Sequence, residues 1–154
     1  SLQALPIREK FFTTHNKKYE KTLFFGDDDY KKYLLEIVKN SNFKDTNLIL
    51  GFYYFLDYED QLKNRFNQVF ENEDYDEVIV NSKIVITSSA QTALETLASG
   101  GKPIYIQRKD RSTNLNRFLQ QFNIPILDLF SDNYSTPKNY KPLNNQNKNI
   151  QYFL

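Results

Sequence analysis

The sequence predicts an α/β fold in which a parallel sheet of five to six strands is covered by helices on both faces. Two observations support this prediction. Short runs of β-branched, aromatic and other apolar residues recur along the chain, and segments with the spacing of an amphipathic helix separate them. The short runs are apolar on both faces, which is typical of buried parallel strands. The chain has 154 residues, a length that fits one domain.

The first half of the chain predicts two strand–helix pairs. The strands are predicted at Thr22–Gly26 and Asn47–Phe55, and the helices over 27–40 and 57–72. In each helix, apolar residues recur at the spacing of one helical face. These residues are Tyr30, Tyr33, Leu34, Ile37 and Val38 in the first helix, and Tyr58, Leu62, Phe66, Val69 and Phe70 in the second.

The second half predicts three more strands with helices between them. The strands are Lys83–Thr87, Lys102–Ile106 and Ile124–Leu129, and the last helix covers 112–122. The segment Asp74–Lys83 fits either a strand or a short helix, and we favour the helix. The residues expected to face the core are Ala90, Ala93, Leu94, Leu97 and Ala98 in the helix after Thr87, and Leu115, Phe118, Leu119 and Phe122 in the last helix.

The two ends of the chain differ in composition from the middle. Residues 1–20 combine a short apolar piece with a polar stretch, and we interpret them as an arm or linker. Residues 21–130 form the predicted domain. The tail, 131–154, is rich in Asn, Lys and Pro, and we expect it to be mostly irregular and to dock on the domain. Because the chain has no Met and begins with Ser1-Leu2, we expect it to be a fragment of a longer protein.

Composition excludes several function classes. A net charge of +1 argues against a general nucleic-acid binder. The chain has no Cys and a single His, so it can form neither a disulfide nor a zinc site of thiolates or histidines, and we predict no metal or cofactor. No apolar run is long enough to span a membrane, and we expect a cytoplasmic protein. His15 lies in the polar arm, where we expect an exposed side chain.

The strand–helix unit that contains Glu95 predicts a ligand site. Ligands of open parallel sheets bind beyond the carboxyl ends of the strands. Ser88 is a candidate N-cap, and Gln91 completes a capping box with it. The free N–H groups of a helix N-terminus suit an anion such as phosphate. Glu95 continues the same helical face and can accept hydrogen bonds from hydroxyls such as a ribose diol. The alternative is a capped surface helix with a solvent-facing Glu95.

Three other loops carry candidate groups. Arg108, Lys109 and Arg111 follow the fourth strand and can pair with a diphosphate or a carboxylate, or form a solvated loop. The acidic run 27–29 favours the start of a helix, with cation binding as the alternative. The aromatic run Phe52–Phe55 is more typical of a core than of a stacking site for a base.

Several segments, taken in order, resemble the C-terminal half of the PseG/SpsG-type proteins, which are UDP-sugar hydrolases of the pseudaminic-acid pathway and relatives in surface-polysaccharide synthesis. The segments are PIREKFF, KTLFFGDDDYKKYLLEIV, SKIVITSSAQTALETLASGGKPIYIQRKD and the helix that begins at Ser112–Asn114. The resemblance covers roughly residues 5–130. It implies one Rossmann-like domain, with a three-layer parallel sheet, from the C-terminal half of a GT-B fold, the architecture of MurG-like glycosyltransferases.

The resemblance also implies a ligand, UDP or a UDP-sugar, and a role for each residue of the site. Glu95 would bind the ribose hydroxyls, and Gly26 would line the cleft. The diphosphate would be held by the backbone and hydroxyl groups of Ser88, Ser89, Ala90, Gln91 and Thr92, and Arg108 is a further candidate for nucleotide binding.

In the family the acid–base histidine belongs to an N-terminal domain that we do not expect within these 154 residues, and His15 does not match it. The implied function is therefore nucleotide-sugar binding without catalysis, in a hydrolase or glycosyltransferase of surface-polysaccharide or flagellin-glycan synthesis. The alternative is a non-catalytic α/β binding module, or a degenerate GT-B domain that has no nucleotide ligand.

Overall fold

The computed structural model describes residues 7–13, 16–27, 33–40, 42–51, 56–108 and 111–128. The described residues form six strands: β1 (Tyr19–Phe24), β2 (Phe43–Ile49), β3 (Phe66–Phe70), β4 (Ser82–Thr87), β5 (Lys102–Gln107) and β6 (Ile126–Asp128). All pairs are parallel, and the order across the sheet is β3-β2-β1-β4-β5-β6. This arrangement confirms the predicted α/β fold with a Rossmann-like parallel sheet.

Helices cover both faces of the sheet. They are α1 (Tyr33–Asn40), α2 (Leu56–Lys63), α3 (Tyr75–Val80), α4 (Ala90–Ala98) and α5 (Asn116–Gln121), with short 3-10 turns at Glu9–Phe11 and Asn72–Asp74. One core layer contains residues of α1 and α2, and the other contains residues of α3, α4 and α5. Within the described part of the chain, no helix has the length and apolar character needed to cross a membrane.

The core confirms the predicted inner face of α4. Ala90, Ala93, Leu94, Leu97 and Ala98 are all buried in the layer that α3 and α5 share. Successive side chains at the end of β1 point to opposite faces of the sheet, as in any strand. Phe24 packs in the layer of α3, α4 and α5, whereas Leu23 and Phe25 pack in the layer of α1 and α2. Phe11 of the N-terminal arm is fully buried in the same layer as α4. The arm is therefore packed on the domain.

The predicted helix over 57–72 is wrong in its second half. Helix α2 ends at Lys63, and the residues after a short turn form β3. Phe66 stacks on Phe43 with ring centroids 5.5 Å apart, and the end of β3 pairs with β2 up to Ile49–Phe70. The apolar spacing of this segment fits a helix face, but pairing with β2 decides in favour of a strand.

The other observed helix and strand boundaries lie closer to the predicted ones. The short helix favoured within Asp74–Lys83 is confirmed as α3. Strand β2 begins at Phe43, earlier than predicted, and 52–55 lie outside the described residues. Strand β1 begins at Tyr19, inside the range taken as an arm. His15, Asp28, Asp29, Lys109 and the tail from 129 onward also lie outside the described residues.

The strand order identifies the edge of the sheet where ligands are expected. In a parallel sheet with this order, the chain turns to opposite sides of the sheet after β1 and after β4, which opens a crevice between their carboxyl ends. Gly26 follows β1 with a φ of +117°, a conformation that favours glycine. Gly51 follows β2, and a Cβ there would lie 2.2 Å from the Gly26 carbonyl oxygen. The loop after β1 therefore depends on a close approach that only Gly51 permits.

Candidate functional site

Helix α4 begins at this crevice, directly after β4. Ser89 is its N-cap, and its Oγ accepts a hydrogen bond from the Thr92 N–H at 3.2 Å. The predicted N-cap at Ser88 is wrong by one position, because Ser88 Oγ donates a hydrogen bond to the Phe25 carbonyl oxygen instead. The predicted capping box with Gln91 is wrong for the same reason. The Ser89 N–H in turn donates to Thr87 Oγ1 at 3.0 Å, which fixes the turn into the helix.

A cavity of about 390 Å³ opens beside the first two turns of α4. This volume lies within the range of small-molecule sites, about 300–1,000 Å³. The wall combines side chains from the arm, the end of β1, the turn after β3, α3 and α4. The lining residues are Arg8, Phe24, Asp27, Asn72, Glu73, Tyr75, Asp76, Ser89, Gln91, Thr92 and Glu95.

Glu95 is the most buried acid of this cavity, with a side chain only 4% exposed. Its Oε1 accepts a hydrogen bond from the Tyr75 hydroxyl at 3.4 Å. Its Oε2 is buried and has no hydrogen-bond partner. Burial raises the pKa of the Glu95 carboxyl to about 7, and the positive charge of Arg8 opposes part of that rise. An acceptor oxygen is thus held in the cavity wall without a donor.

Tyr75 positions the other oxygen of this carboxylate. Its hydroxyl lies 2.6 Å from Thr92 Oγ1 and also donates a hydrogen bond to Glu95. Tyr75 of α3 therefore links two residues of α4. The ring packs edge-on against Phe24, with centroids 5.0 Å apart. Burial raises the pKa of the Tyr75 phenol, which therefore stays protonated and can donate to Glu95.

Arg8 brings the positive charge of the arm to the cavity. Its Nη2 lies 2.5 Å from Asp76 Oδ1 and its Nη1 lies 3.2 Å from Asp76 Oδ2, which is a bidentate pair. Lys10 bonds to the same carboxylate. Burial alone would raise the pKa of Asp76, but the hydrogen bonds with Lys10 and Arg8 lower it. The Arg8 guanidinium also lies over the Phe11 ring, 4.9 Å from its centroid.

A second group of predicted site residues lies below the crevice, around the Phe25 carbonyl oxygen. Ser88 Oγ and Arg108 Nη1 both donate to this oxygen, the latter at 3.3 Å. Arg108 is 1% exposed and stacks on the Phe25 ring at 4.6 Å. A Cβ on Gly26 would lie 3.7 Å from Ser88 Oγ and from Arg108 Nη1. This group fixes the end of β1, and its arginine is packed in the protein interior.

The predicted residues therefore divide into two sets. The structure brings Ser89, Gln91, Thr92 and Glu95 together in the cavity wall. Gly26, Ser88 and Arg108 support the loop after β1 from beneath, and Ala90 is buried in the core. Asp27 lines the cavity, and Arg111 is exposed to solvent.

Sequence reasoning missed Arg8, Tyr75 and Asp76, which complete the cavity. The pair Phe11-Phe12 in an otherwise polar arm was a usable signal, because buried aromatic residues would dock the arm on the domain. No local pattern marked Tyr75 or Asp76. Both belong to α3, a helix of only six residues.

The charge of the cavity restricts what it can bind. Four carboxylates, from Asp27, Glu73, Asp76 and Glu95, line it together with the single guanidinium of Arg8. This surplus favours a ligand that presents hydroxyl or N–H donors to the wall. Among the described residues, no three acidic or histidine side chains are grouped closely enough to hold a metal ion.

Comparison of the chain with protein-family models, curated proteins and solved structures finds no match. The resemblance to UDP-sugar hydrolases therefore remains a prediction from sequence motifs. Function has to be inferred from the cavity and from its place in the fold.

Proposed function

We propose that this chain binds a ribonucleotide, as UDP or a UDP-sugar, in the cavity beside α4. The observation that supports this proposal is the Glu95 carboxylate, which lines the cavity and whose buried Oε2 has no hydrogen-bond partner. A buried acceptor without a partner costs about 1–3 kcal/mol. The two adjacent hydroxyls of a ribose supply donors of the right kind, so a ligand with a diol gains from filling this position.

The phosphates would lie at the other end of the cavity. The N-terminus of α4 begins after the Ser89 cap, and the positive end of the helix dipole favours an anion there. A rise of ~1.5 Å per residue separates positions 89 and 95 by about 9 Å along the helix. A nucleoside 5′-diphosphate can span this distance with its ribose on Glu95. Asp27 and Glu73 oppose the phosphates, so we expect Mg²⁺ supplied with the nucleotide to strengthen binding.

The biological role that fits this ligand is the binding half of a cytoplasmic sugar-nucleotide hydrolase or glycosyltransferase of surface-polysaccharide or flagellin-glycan synthesis. In that reaction the oxygen of water, or of an acceptor hydroxyl, forms a bond to the anomeric carbon of the sugar, the bond between the sugar and the diphosphate breaks, and UDP leaves. The N–H groups of α4 would stabilise the negative charge of the leaving diphosphate. The acid–base group would come from the N-terminal domain that the sequence resemblance implies.

Isothermal titration of the chain with UDP, CDP and GDP, with and without Mg²⁺, tests the proposal. Glu95→Gln should weaken UDP binding at least about tenfold, the value of a hydrogen bond to a charged group. Glu77→Gln is the matched control, because Glu77 is a half-exposed acid of α3 that pairs with Lys18. No heat from any nucleotide, with the far-UV circular dichroism of a folded protein, would overturn the proposal.

The surplus of carboxylates favours a second candidate, an α/β binding module that takes no nucleotide. Phosphates near Asp27 and Glu73 would be repelled by these carboxylates, whereas a neutral or cationic ligand would not. The same titration separates the two candidates, because only the first predicts a response to UDP that depends on Glu95.

A further inference from the structure

We infer that Arg8, on the N-terminal arm, is a ligand-binding residue of the cavity that shares one hydroxyl of a bound diol with Glu95. The inference rests on the proposed function. It makes the arm a part of the binding site.

The Arg8 guanidinium is held in place although its side chain is 53% exposed. The bidentate pair with Asp76 fixes one edge, and the Phe11 ring lies against its face. Phe11 is itself fully buried in the core, and its N–H donates to the Arg8 carbonyl oxygen at 3.0 Å. The position of the charged group is therefore set by the core of the domain through Phe11, and little side-chain entropy is left to lose when a ligand binds.

The distance between Arg8 and Glu95 is one at which a single oxygen can contact both groups. Arg8 Nη2 lies 3.7 Å from Glu95 Oε2, which is close enough for an ion pair but too far for a direct hydrogen bond. An oxygen about 2.8 Å from both atoms completes a triangle with reasonable geometry. A ligand hydroxyl in this position accepts from Nη2 and donates to Oε2. The bidentate pair with Asp76 uses two of the roughly five N–H groups of the guanidinium, so a donor remains for the ligand hydroxyl.

The contact with Asp76 explains why the Arg8 guanidinium does not form a hydrogen bond with Glu95. The guanidinium makes its short contacts with Asp76, which Lys10 also holds, and Glu95 Oε2 stays without a partner. Asp76 therefore acts as a positioning residue: it keeps the arginine near Glu95 without letting the two groups satisfy each other. A site built in this way has a donor and an acceptor ready for one hydroxyl.

The test compares ligands with and without the diol. Affinities for UDP and for 2′,3′-dideoxy-UDP are measured on the wild-type chain, Arg8→Gln, Arg8→Lys and Lys18→Gln. Arg8→Gln should weaken UDP binding about tenfold and leave binding of the dideoxy analogue within about twofold. Arg8→Lys keeps the charge but loses the fork, and should recover part of the loss. Lys18→Gln is the control, since it removes an exposed positive charge that pairs with Glu77 and does not line the cavity.

The outcomes separate this inference from the proposed function. No UDP binding by the wild-type chain overturns both. Binding by the wild-type chain that Arg8→Gln leaves unchanged overturns the role of Arg8 alone. Equal losses for UDP and its dideoxy analogue do the same, because they show that Arg8 acts through charge or arm structure and not through a hydroxyl. Urea unfolding of each variant verifies the fold, and Arg8→Lys provides the same ligand comparison if Arg8→Gln does not fold.

Discussion

Glu95→Gln should make the folded protein more stable at pH 8 while it weakens ligand binding. The reason is the burial of the carboxylate, whose Oε2 has no hydrogen-bond partner and whose pKa rises to about 7. In the unfolded chain the same group ionises near its ordinary pKa of 4.5. Glutamine has nearly the same shape and no charge, so it removes the cost of burying the ion.

The magnitude follows from the two pKa values. The folded protein keeps this proton up to about pH 7, and the unfolded chain loses it near pH 4.5, so folding takes up a proton between these values. The contribution of Glu95 to stability is therefore most favourable below pH 4.5. It falls as the pH rises to about 7 and is constant above that. At about 1.4 kcal/mol per pKa unit, the full loss is of the order of 3 kcal/mol. We expect Glu95→Gln to recover about 2 kcal/mol at pH 8, since the amide also has to find hydrogen bonds.

Urea unfolding of both proteins from pH 5 to pH 8, followed by far-UV circular dichroism, measures this effect. The difference in the free energy of unfolding between Glu95→Gln and the wild-type chain should grow with pH, because every other titrating group is common to both proteins. Glu77→Gln, at a half-exposed position of α3, is the matched control. A difference for Glu95→Gln that does not change with pH would refute the reasoning.

Two further substitutions test the frame around the cavity. Gly51→Ala should cost more than ~3 kcal/mol or prevent folding, because its Cβ would lie 2.2 Å from the Gly26 carbonyl oxygen and 2.7 Å from that of Asp27; the soluble yield and the urea midpoint measure this. Ser89→Ala should lower the free energy of unfolding by about 1 kcal/mol through loss of the cap, and Ser89→Asn should restore most of it; equal stability of Ser89→Ala and the wild-type chain would contradict the role of the cap.

The sheet and most of its helices could be predicted because their patterns are local. Apolar runs with β-branched residues marked β1, β4 and β5, and the alanine-rich face of α4 marked the side that packs on the sheet. Strand β3 could not be predicted in the same way. Phe66, Val69 and Phe70 satisfy the spacing of a helix, and only pairing with β2 makes this segment a strand.

The residues of the candidate site likewise differ in whether a local pattern predicts them. Glu95 and the N-terminus of α4 follow from spacing within one strand–helix unit. Arg8 reaches the cavity through Asp76, which is 68 residues away in sequence, and Tyr75 reaches Glu95 across 20 residues. Contacts of this length leave no periodic pattern. The burial of Glu95 is likewise a property of the assembled layers, which is why the sequence left open a solvent-facing side chain.

The cavity combines two demands that conflict: a buried acceptor must stay available to a ligand, and its burial lowers stability. A buried carboxylate with one unpartnered oxygen lowers stability, and the simplest repair is an arginine bonded directly to it. Here Arg8 Nη2 lies 3.7 Å from Glu95 Oε2, beyond hydrogen-bond distance, because its short contact is with Asp76. The charge of Arg8 still lowers the pKa of Glu95 relative to burial alone, so part of the cost is offset at a distance. A direct bond would remove the remaining cost together with the acceptor. The separation imposed by Asp76 therefore keeps Glu95 available to a ligand hydroxyl, at a cost in stability that the charge of Arg8 partly offsets.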